Sequence, residues 1–224
     1  MMFPALLLAF AGGASIFAAD LCCAPDTGEG TPRDFVTTWA EPAERERIPL
    51  DFTFVHHDGS VVDAGILRGS PVVLAFAYTR CTNPLKCTAT MASMVSLKKA
   101  IRDEARLQNA RIIVVSYDAY LDDAASVTAY SQVHDLRLDG SAQFLVPIPG
   151  SNERLFKEWG VLATATDLGV SLHANQLFIL DSHARVARRY SVLRPDESSV
   201  LEDLRLLSSE SSAEADAPRL ALDD

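Results

Sequence analysis

Two cysteines with five residues between them, Cys81 and Cys87, are the part of this sequence best suited to chemistry. A continuous apolar run at residues 71–76 precedes them and predicts a buried strand. Apolar residues that recur every three or four positions over residues 84–107 predict a helix that begins between the two cysteines. The thiolate form of cysteine is both a metal ligand and the nucleophile of disulfide exchange. The pair therefore predicts a metal or redox site at a strand-to-helix junction.

The expected start of this helix decides how the two sulfur atoms can meet. Asn83 is a favourable helix cap and Pro84 suits the first helical position. Cys87 would then lie in the first turn and Cys81 in the preceding loop, so that the chain can bring both sulfurs to one point. The positive end of the helix, with two basic residues close in sequence, favours the thiolate of Cys87. A structural disulfide and a pair of buried free thiols remain open as alternatives.

A soft cuprous site needs a third ligand, and His173 is the candidate. It stands just before a continuous apolar segment at residues 176–180, whose start should face the cysteine loop in an α/β topology. The alternative is a histidine held in a loop by hydrogen bonds. His56 and His57 lie in a predicted hairpin turn, and they are interpreted as solvated turn residues because no third ligand is near them in sequence.

The predicted elements alternate between strands and helices. Residues 51–63 alternate between apolar and polar on either side of Asp58-Gly59, which predicts a hairpin. Further strands are predicted at residues 71–76, 110–116, 143–146, 176–180 and 185–190. Helices are predicted to begin near residues 84, 123, 152 and 195. The pattern predicts an α/β fold with a central mixed sheet flanked by helices and an added N-terminal hairpin.

Three flanking segments differ from the predicted domain at residues 49–207. Residues 1–19 are apolar and end in small residues, which predicts a signal peptide or a membrane anchor. Residues 20–48 have the proline, glycine and charge of a linker, and residues 208–224 have the composition of a disordered acidic tail. The protein is therefore expected to be exported, either periplasmic or anchored in the membrane and facing the periplasm. Cys22 and Cys23 have no predicted role.

The composition excludes several functional classes. A formal net charge of −10 argues against nucleic acid as a partner. The 224 residues contain only 4 cysteines, too few for a small domain held together by disulfides. With 48% hydrophobic residues, the chain can instead bury an ordinary apolar core. The cysteine pair is therefore available for function.

Residues 50–205 resemble the Sco/SenC family, thioredoxin-fold copper proteins that serve cytochrome c oxidase assembly. The resemblance is carried by residues 58–59, 67–74, 78–81, 115–118, 173 and 177–181. It implies a thioredoxin-like fold and a copper ion bound by Cys81, Cys87 and His173. The family usually has three residues between its cysteines, so the five-residue spacer here is atypical.

Three functional hypotheses follow from these observations. The first is a copper metallochaperone whose partner is a copper-receiving respiratory enzyme. The second is a thiol–disulfide oxidoreductase that uses Cys81 and Cys87 as a redox pair with an exchange partner, for which His173 would be dispensable. The third hypothesis is a non-enzymatic binding domain in which the thiols are structural. Membrane attachment would occur through residues 1–19.

Overall fold

The computed structural model describes residues 35–216, with side chains as far as residue 211. Its eleven strands are β1 Phe35–Val36, β2 Glu46–Arg47, β3 Thr53–His56, β4 Val61–Asp63, β5 Val72–Ala77, β6 Arg111–Ser116, β7 Ala142–Pro147, β8 Ala163–Thr166, β9 Gly169–His173, β10 Leu177–Leu180 and β11 Arg185–Ser191. Its four α-helices are α1 Cys87–Asp103, α2 Ala124–Val133, α3 Asn152–Trp159 and α4 Glu197–Asp216. The hairpin predicted at residues 51–63 is present as β3 and β4.

Nine strands form one mixed sheet in the order β1-β11-β10-β5-β6-β7-β3-β4, with β2 paired to β11. Strands β5, β6 and β7 are mutually parallel, and the other pairs are antiparallel. All six residues of β5 are buried, as its continuous apolar sequence predicts. The predicted α/β class with a thioredoxin-like mixed sheet and an added hairpin is confirmed.

The strand directions bring three loops to one edge of the sheet. Because β5 and β6 are parallel, the loops that follow them leave from the same side. Strand β10 is antiparallel to β5, and Leu177 at its start pairs with Ala75 near the end of β5. The chain that enters β10 therefore meets the loop that leaves β5. This relationship places the segment before residue 177 beside the cysteine loop.

Helix α1 covers the sheet next to this edge. Its buried residues recur at spacings of three and four and include Met91, Met94, Leu97 and Ile101. Met91 and Met94 are core residues with almost no exposed surface. They lie in the hydrophobic core rather than in the group of potential metal ligands.

The prediction of a linker at residues 20–48 is wrong for residues 35–48, the part of this segment that the structure describes. Strands β1 and β2 pair with β11, Ile48 is buried in the core and Trp39 packs against it. One of the charged residues that suggested a linker, Arg45, is buried and forms ion pairs with Asp181 and Glu210. Residues 1–34, with the predicted signal peptide or anchor and the two remaining cysteines, lie outside the described residues.

The disordered tail predicted from residue 208 is also wrong over its first part. Helix α4 continues to Asp216, because no glycine or proline interrupts the sequence between residue 197 and Pro218. Glu210 anchors the extension through two hydrogen bonds of 2.7 Å from Arg45. Within residues 35–216, no helix has the length and apolar character needed to cross a membrane.

Candidate metal centre

The two cysteines lie on either side of a short turn. Cys81 follows the end of β5 in a loop, whereas Cys87 is the first residue of α1. The helix thus begins later than predicted, and Asn83 does not cap it. Asn83 instead accepts a hydrogen bond from the Leu85 nitrogen at 2.9 Å, and its carbonyl accepts one from Lys86 at 3.1 Å. Asn83 therefore stabilises the turn between the cysteines.

His173 is the last residue of β9, in a hairpin that was not predicted from the sequence. Strands β8 and β9 pair only with each other among the described residues. The signal was present: residues 163–166 read Ala-Thr-Ala-Thr, with β-branched residues at alternate positions. Gly169 follows the turn with φ of +118°, in the region that favours glycine. His173 is therefore held by a strand end rather than by an irregular loop.

The three predicted residues meet at one point. The Nε2 atom of His173 lies 3.7 Å from Cys81 Sγ and 3.6 Å from Cys87 Sγ. All three donor atoms lie within 4.8 Å of one another. Metal–sulfur and metal–nitrogen bonds of about 2.0–2.3 Å, as in zinc sites, place three ligands of a trigonal ion about 3.7 Å apart. The spacing of the donor atoms fits one metal ion.

The cysteines differ in exposure and in acidity. Cys81 is half-buried, whereas Cys87 is 1% exposed and starts the helix. A hydrogen bond from the Cys87 thiol, aided by one from His173, holds the pKa of Cys81 below its ordinary value, although partial burial opposes this shift. The same hydrogen bond and deeper burial raise the pKa of Cys87. The hydrogen bonds therefore favour the thiolate at Cys81, whereas burial opposes the thiolate that the helix end was predicted to favour at Cys87.

Aromatic rings surround the imidazole of His173, which is itself 4% exposed. The rings of Tyr78 and Tyr117 lie 5.3 and 5.1 Å from it, centroid to centroid. Burial, with the nearby thiols, raises the pKa of Tyr117, so its hydroxyl stays protonated and donates to the carbonyl of Ala174 at 2.6 Å. No pattern in the sequence indicates this supporting role of Tyr117.

Within the described part of the chain, these three residues are the one group of histidine, cysteine, aspartate and glutamate side chains close enough to share a metal ion. His56 and His57 stack on each other at 4.0 Å, and His56 Nδ1 lies 2.9 Å from Asp58. Only His57 lies in the turn, because His56 is the last residue of β3, and both side chains are partly buried, which corrects the prediction of two solvated turn residues. The donor set of two thiols and one imidazole is suited to copper or another soft metal ion.

Comparison with known proteins agrees with this geometry. The family model SCO1/SenC matches residues 40–208. A search of curated proteins gave no match. The structure resembles a SCO1/SenC family lipoprotein from Bacillus anthracis, at 22% identity and a TM-score of 0.62, over 74% of this chain and 98% of that chain.

Two further structures show the same fold. The ScoI protein of Bradyrhizobium japonicum with copper bound has 18% identity and a TM-score of 0.59, covering 72% of this chain and 99% of that chain. BsSco, a member of the Sco family of cytochrome c oxidase assembly proteins in which a disulfide switch was identified, has 19% identity and a TM-score of 0.62, covering 77% and 99%. The family match extends from the strand-forming lead-in through the cysteine pair and His173 to helix α4. The chain belongs to the SCO1/SenC family.

Proposed function

We propose that this protein is a copper-binding metallochaperone. The thiolates of Cys81 and Cys87 and the imidazole of His173 hold the copper ion, which is delivered to a respiratory copper enzyme, with cytochrome c oxidase as the first candidate. The observation that carries the proposal is the convergence of three donor atoms within 4.8 Å of one another. Membership of the SCO1/SenC family supports it.

The chemistry of the donors supports copper as the cargo. Two thiolates select cuprous copper over harder ions, and the imidazole helps to retain the oxidised ion. The ligand group contains no carboxylate, the donor type that calcium and magnesium prefer. A related protein, ScoI of Bradyrhizobium japonicum, has copper bound in its structure.

The difference in exposure between the cysteines supports a direction of transfer. An acceptor thiolate approaches the ion from the side of Cys81, because Cys81 is half-buried while Cys87 and His173 are buried. Copper then passes by stepwise ligand exchange, in which Cys81 leaves before the other two ligands.

Residues 1–19 support an exported protein, periplasmic or anchored to the membrane, and one structural relative is a lipoprotein.

Titration of the purified, reduced protein with Cu(I) against a competing chelator tests the proposal. We expect one tightly bound ion per chain, loss of tight binding in Cys87→Ser, and an affinity at least about tenfold lower in His173→Ala. His183→Ala is the matched control, because this exposed histidine lies in the turn after Asp181. Binding by His173→Ala equal to that of the parent protein would show that the three-ligand site is wrong.

A second function, thiol–disulfide exchange, is favoured by the asymmetry of the two thiols. Cys81 is the more exposed residue with the lowered pKa, and Cys87 is the buried partner. The Cys81 thiolate would attack a substrate disulfide and release one substrate thiolate. Cys87 would then lose its proton, attack the mixed disulfide and release the second thiolate. The products are a Cys81–Cys87 disulfide and a substrate reduced by two electrons.

Oxidised glutathione separates the two functions. If the reduced protein binds no Cu(I) but converts oxidised glutathione stoichiometrically to its thiol, thiol–disulfide exchange replaces metal delivery as the function. In that case His173→Ala should exchange thiols as well as the parent protein does. Tight Cu(I) binding that depends on His173 supports metal delivery instead of thiol–disulfide exchange.

A further inference from the structure

We propose that Lys86 is a positioning residue that fixes the imidazole of His173 at its distance from the two thiols. The inference rests on the proposed function, because its purpose is to hold a metal ligand in place. Lys86 stands immediately before Cys87, in the turn that separates the cysteines. Its side chain contacts the strand end that carries His173.

Lys86 binds this strand end with two of its own groups. Its ammonium group donates to the carbonyl oxygen of His173 at 3.1 Å. Its backbone carbonyl accepts a hydrogen bond from the side-chain amide of Asn175 at 3.4 Å. The same carbonyl accepts the first helical hydrogen bond of α1, from the nitrogen of Thr90 at 2.9 Å. One residue therefore joins the start of α1 to the His173 segment.

The hairpin that carries His173 depends on contacts of this kind. Strands β8 and β9 form a separate two-stranded sheet, and an isolated two-stranded hairpin is marginally stable in water. Strand β8 packs against α3. The end of β9 is held from the other side by Lys86 and by the hydroxyl of Tyr117, which binds Ala174. Loss of the Lys86 contact leaves the carbonyl of the ligand residue without its charged donor.

The charge of Lys86 suits the same task. Two thiolates and one cuprous ion carry a net charge of −1, and a half-buried ammonium group at their edge reduces the cost of holding that charge. A neutral side chain of similar length removes both the charge and the hydrogen bond, whereas arginine keeps both. These two substitutions therefore separate the role of Lys86 from that of an ordinary spacer residue.

The test compares Lys86→Met and Lys86→Arg in the full chain, first without metal. Amide hydrogen exchange across residues 171–176 should become faster in Lys86→Met and stay near the parent rate in Lys86→Arg. Lys98→Met is the matched control, because Lys98 lies on α1, the helix that follows Lys86, and binds Asp139 at 2.7 Å, away from the cysteine turn. Unchanged exchange in Lys86→Met overturns the proposal, whether or not the protein binds copper.

Cu(I) competition supplies the second measurement. Lys86→Met should bind Cu(I) about tenfold more weakly than the parent, as expected for a residue that supports a metal ligand. In a His173→Ala background the same substitution should have a clearly smaller effect, because the ligand that it positions is gone and only the charge of Lys86 still acts on the thiolates. An equal loss in both backgrounds overturns positioning and indicates a general charge effect. If the parent binds no Cu(I) while the exchange rates change as expected, the proposed function fails and the positioning contact stands.

Discussion

Asp122 accepts hydrogen bonds from Thr79, at 2.5 Å from its hydroxyl and 3.3 Å from its backbone nitrogen. Ser116 donates to the same carboxylate at 2.5 Å. Burial raises the pKa of Asp122, although these hydrogen bonds oppose the shift. The loop that leaves β6 thus holds the loop that leads to Cys81.

We expect Asp122→Ala to loosen the cysteine loop. The substitution leaves the backbone nitrogen of Thr79 without its acceptor, and the free energy of unfolding should fall by about 1–3 kcal/mol. Urea denaturation measures the loss, and amide exchange at Thr79 should become faster. Ser116→Ala is the control, because it leaves both bonds between Thr79 and Asp122 in place. Slow exchange at Thr79 in the Asp122 variant would contradict this role.

The reactivity of Cys81 towards iodoacetamide should depend on its neighbour. The Cys87 thiol donates a hydrogen bond that lowers the pKa of Cys81. The alkylation rate of Cys81 should therefore reach its plateau at a lower pH than that of an ordinary cysteine, whose pKa is about 8.5. The raised pKa of Cys87 should keep that residue unreactive over the same range. Mass spectrometry of the two peptides at each pH follows both residues.

Two substitutions test the cause of this shift. Cys87→Ala removes the donor, so the pH at which Cys81 reacts should move upwards. Cys87→Ser retains a hydroxyl donor and should move it less. The same alkylation profile in the parent and in Cys87→Ala would mean that the hydrogen bond is not the cause.

Arg45 should be important for stability despite its place in the predicted linker. Its side chain is 1% exposed and lies 3.2 Å from the buried carboxylate of Asp181. Arg45→Met should lower the free energy of unfolding by about 3 kcal/mol, because it leaves Asp181 with one charged partner fewer in a buried setting. Glu210→Gln removes the partly exposed partner and should cost about 1 kcal/mol. If urea denaturation shows that Arg45→Met lowers the free energy of unfolding no more than Glu210→Gln does, the greater importance of Arg45 is refuted.

The helix caps provide a further comparison. The Asp123 side chain accepts a hydrogen bond from the Ser126 nitrogen at 2.7 Å, and the Ser126 hydroxyl oxygen accepts one from the Asp123 nitrogen at 2.8 Å. Asp123→Ala should therefore cost about 1 kcal/mol of stability. Asn83→Ala should cost less, because Asn83 stabilises a turn and not a helix end. If thermal or urea unfolding shows equal losses of stability for Asp123→Ala and Asn83→Ala, Asn83 acts as a helix cap after all.

The sequence predicted the architecture well because burial and periodicity are local signals. The apolar run of β5, the stripe that contains Met91 and Met94, and the turn at Asp58-Gly59 each indicate one element. Alternation of strands and helices then restricts the topology to a mixed sheet. Resemblance to the Sco/SenC family added the grouping of Cys81, Cys87 and His173.

What the sequence alone could not predict depends on partners that are far apart along the chain. The charges near Arg45 look like those of a linker until Asp181 and Glu210 stand beside them. The helix end was predicted to favour the thiolate of Cys87, but the hydrogen bond of Cys87 to Cys81 and the depth of its burial raise its pKa instead. Residue types and spacing thus determined which atoms could bind a metal ion. Tertiary structure decided which thiol its surroundings make the more acidic and which residues hold His173, because burial and long-range hydrogen bonds exist only in the folded chain.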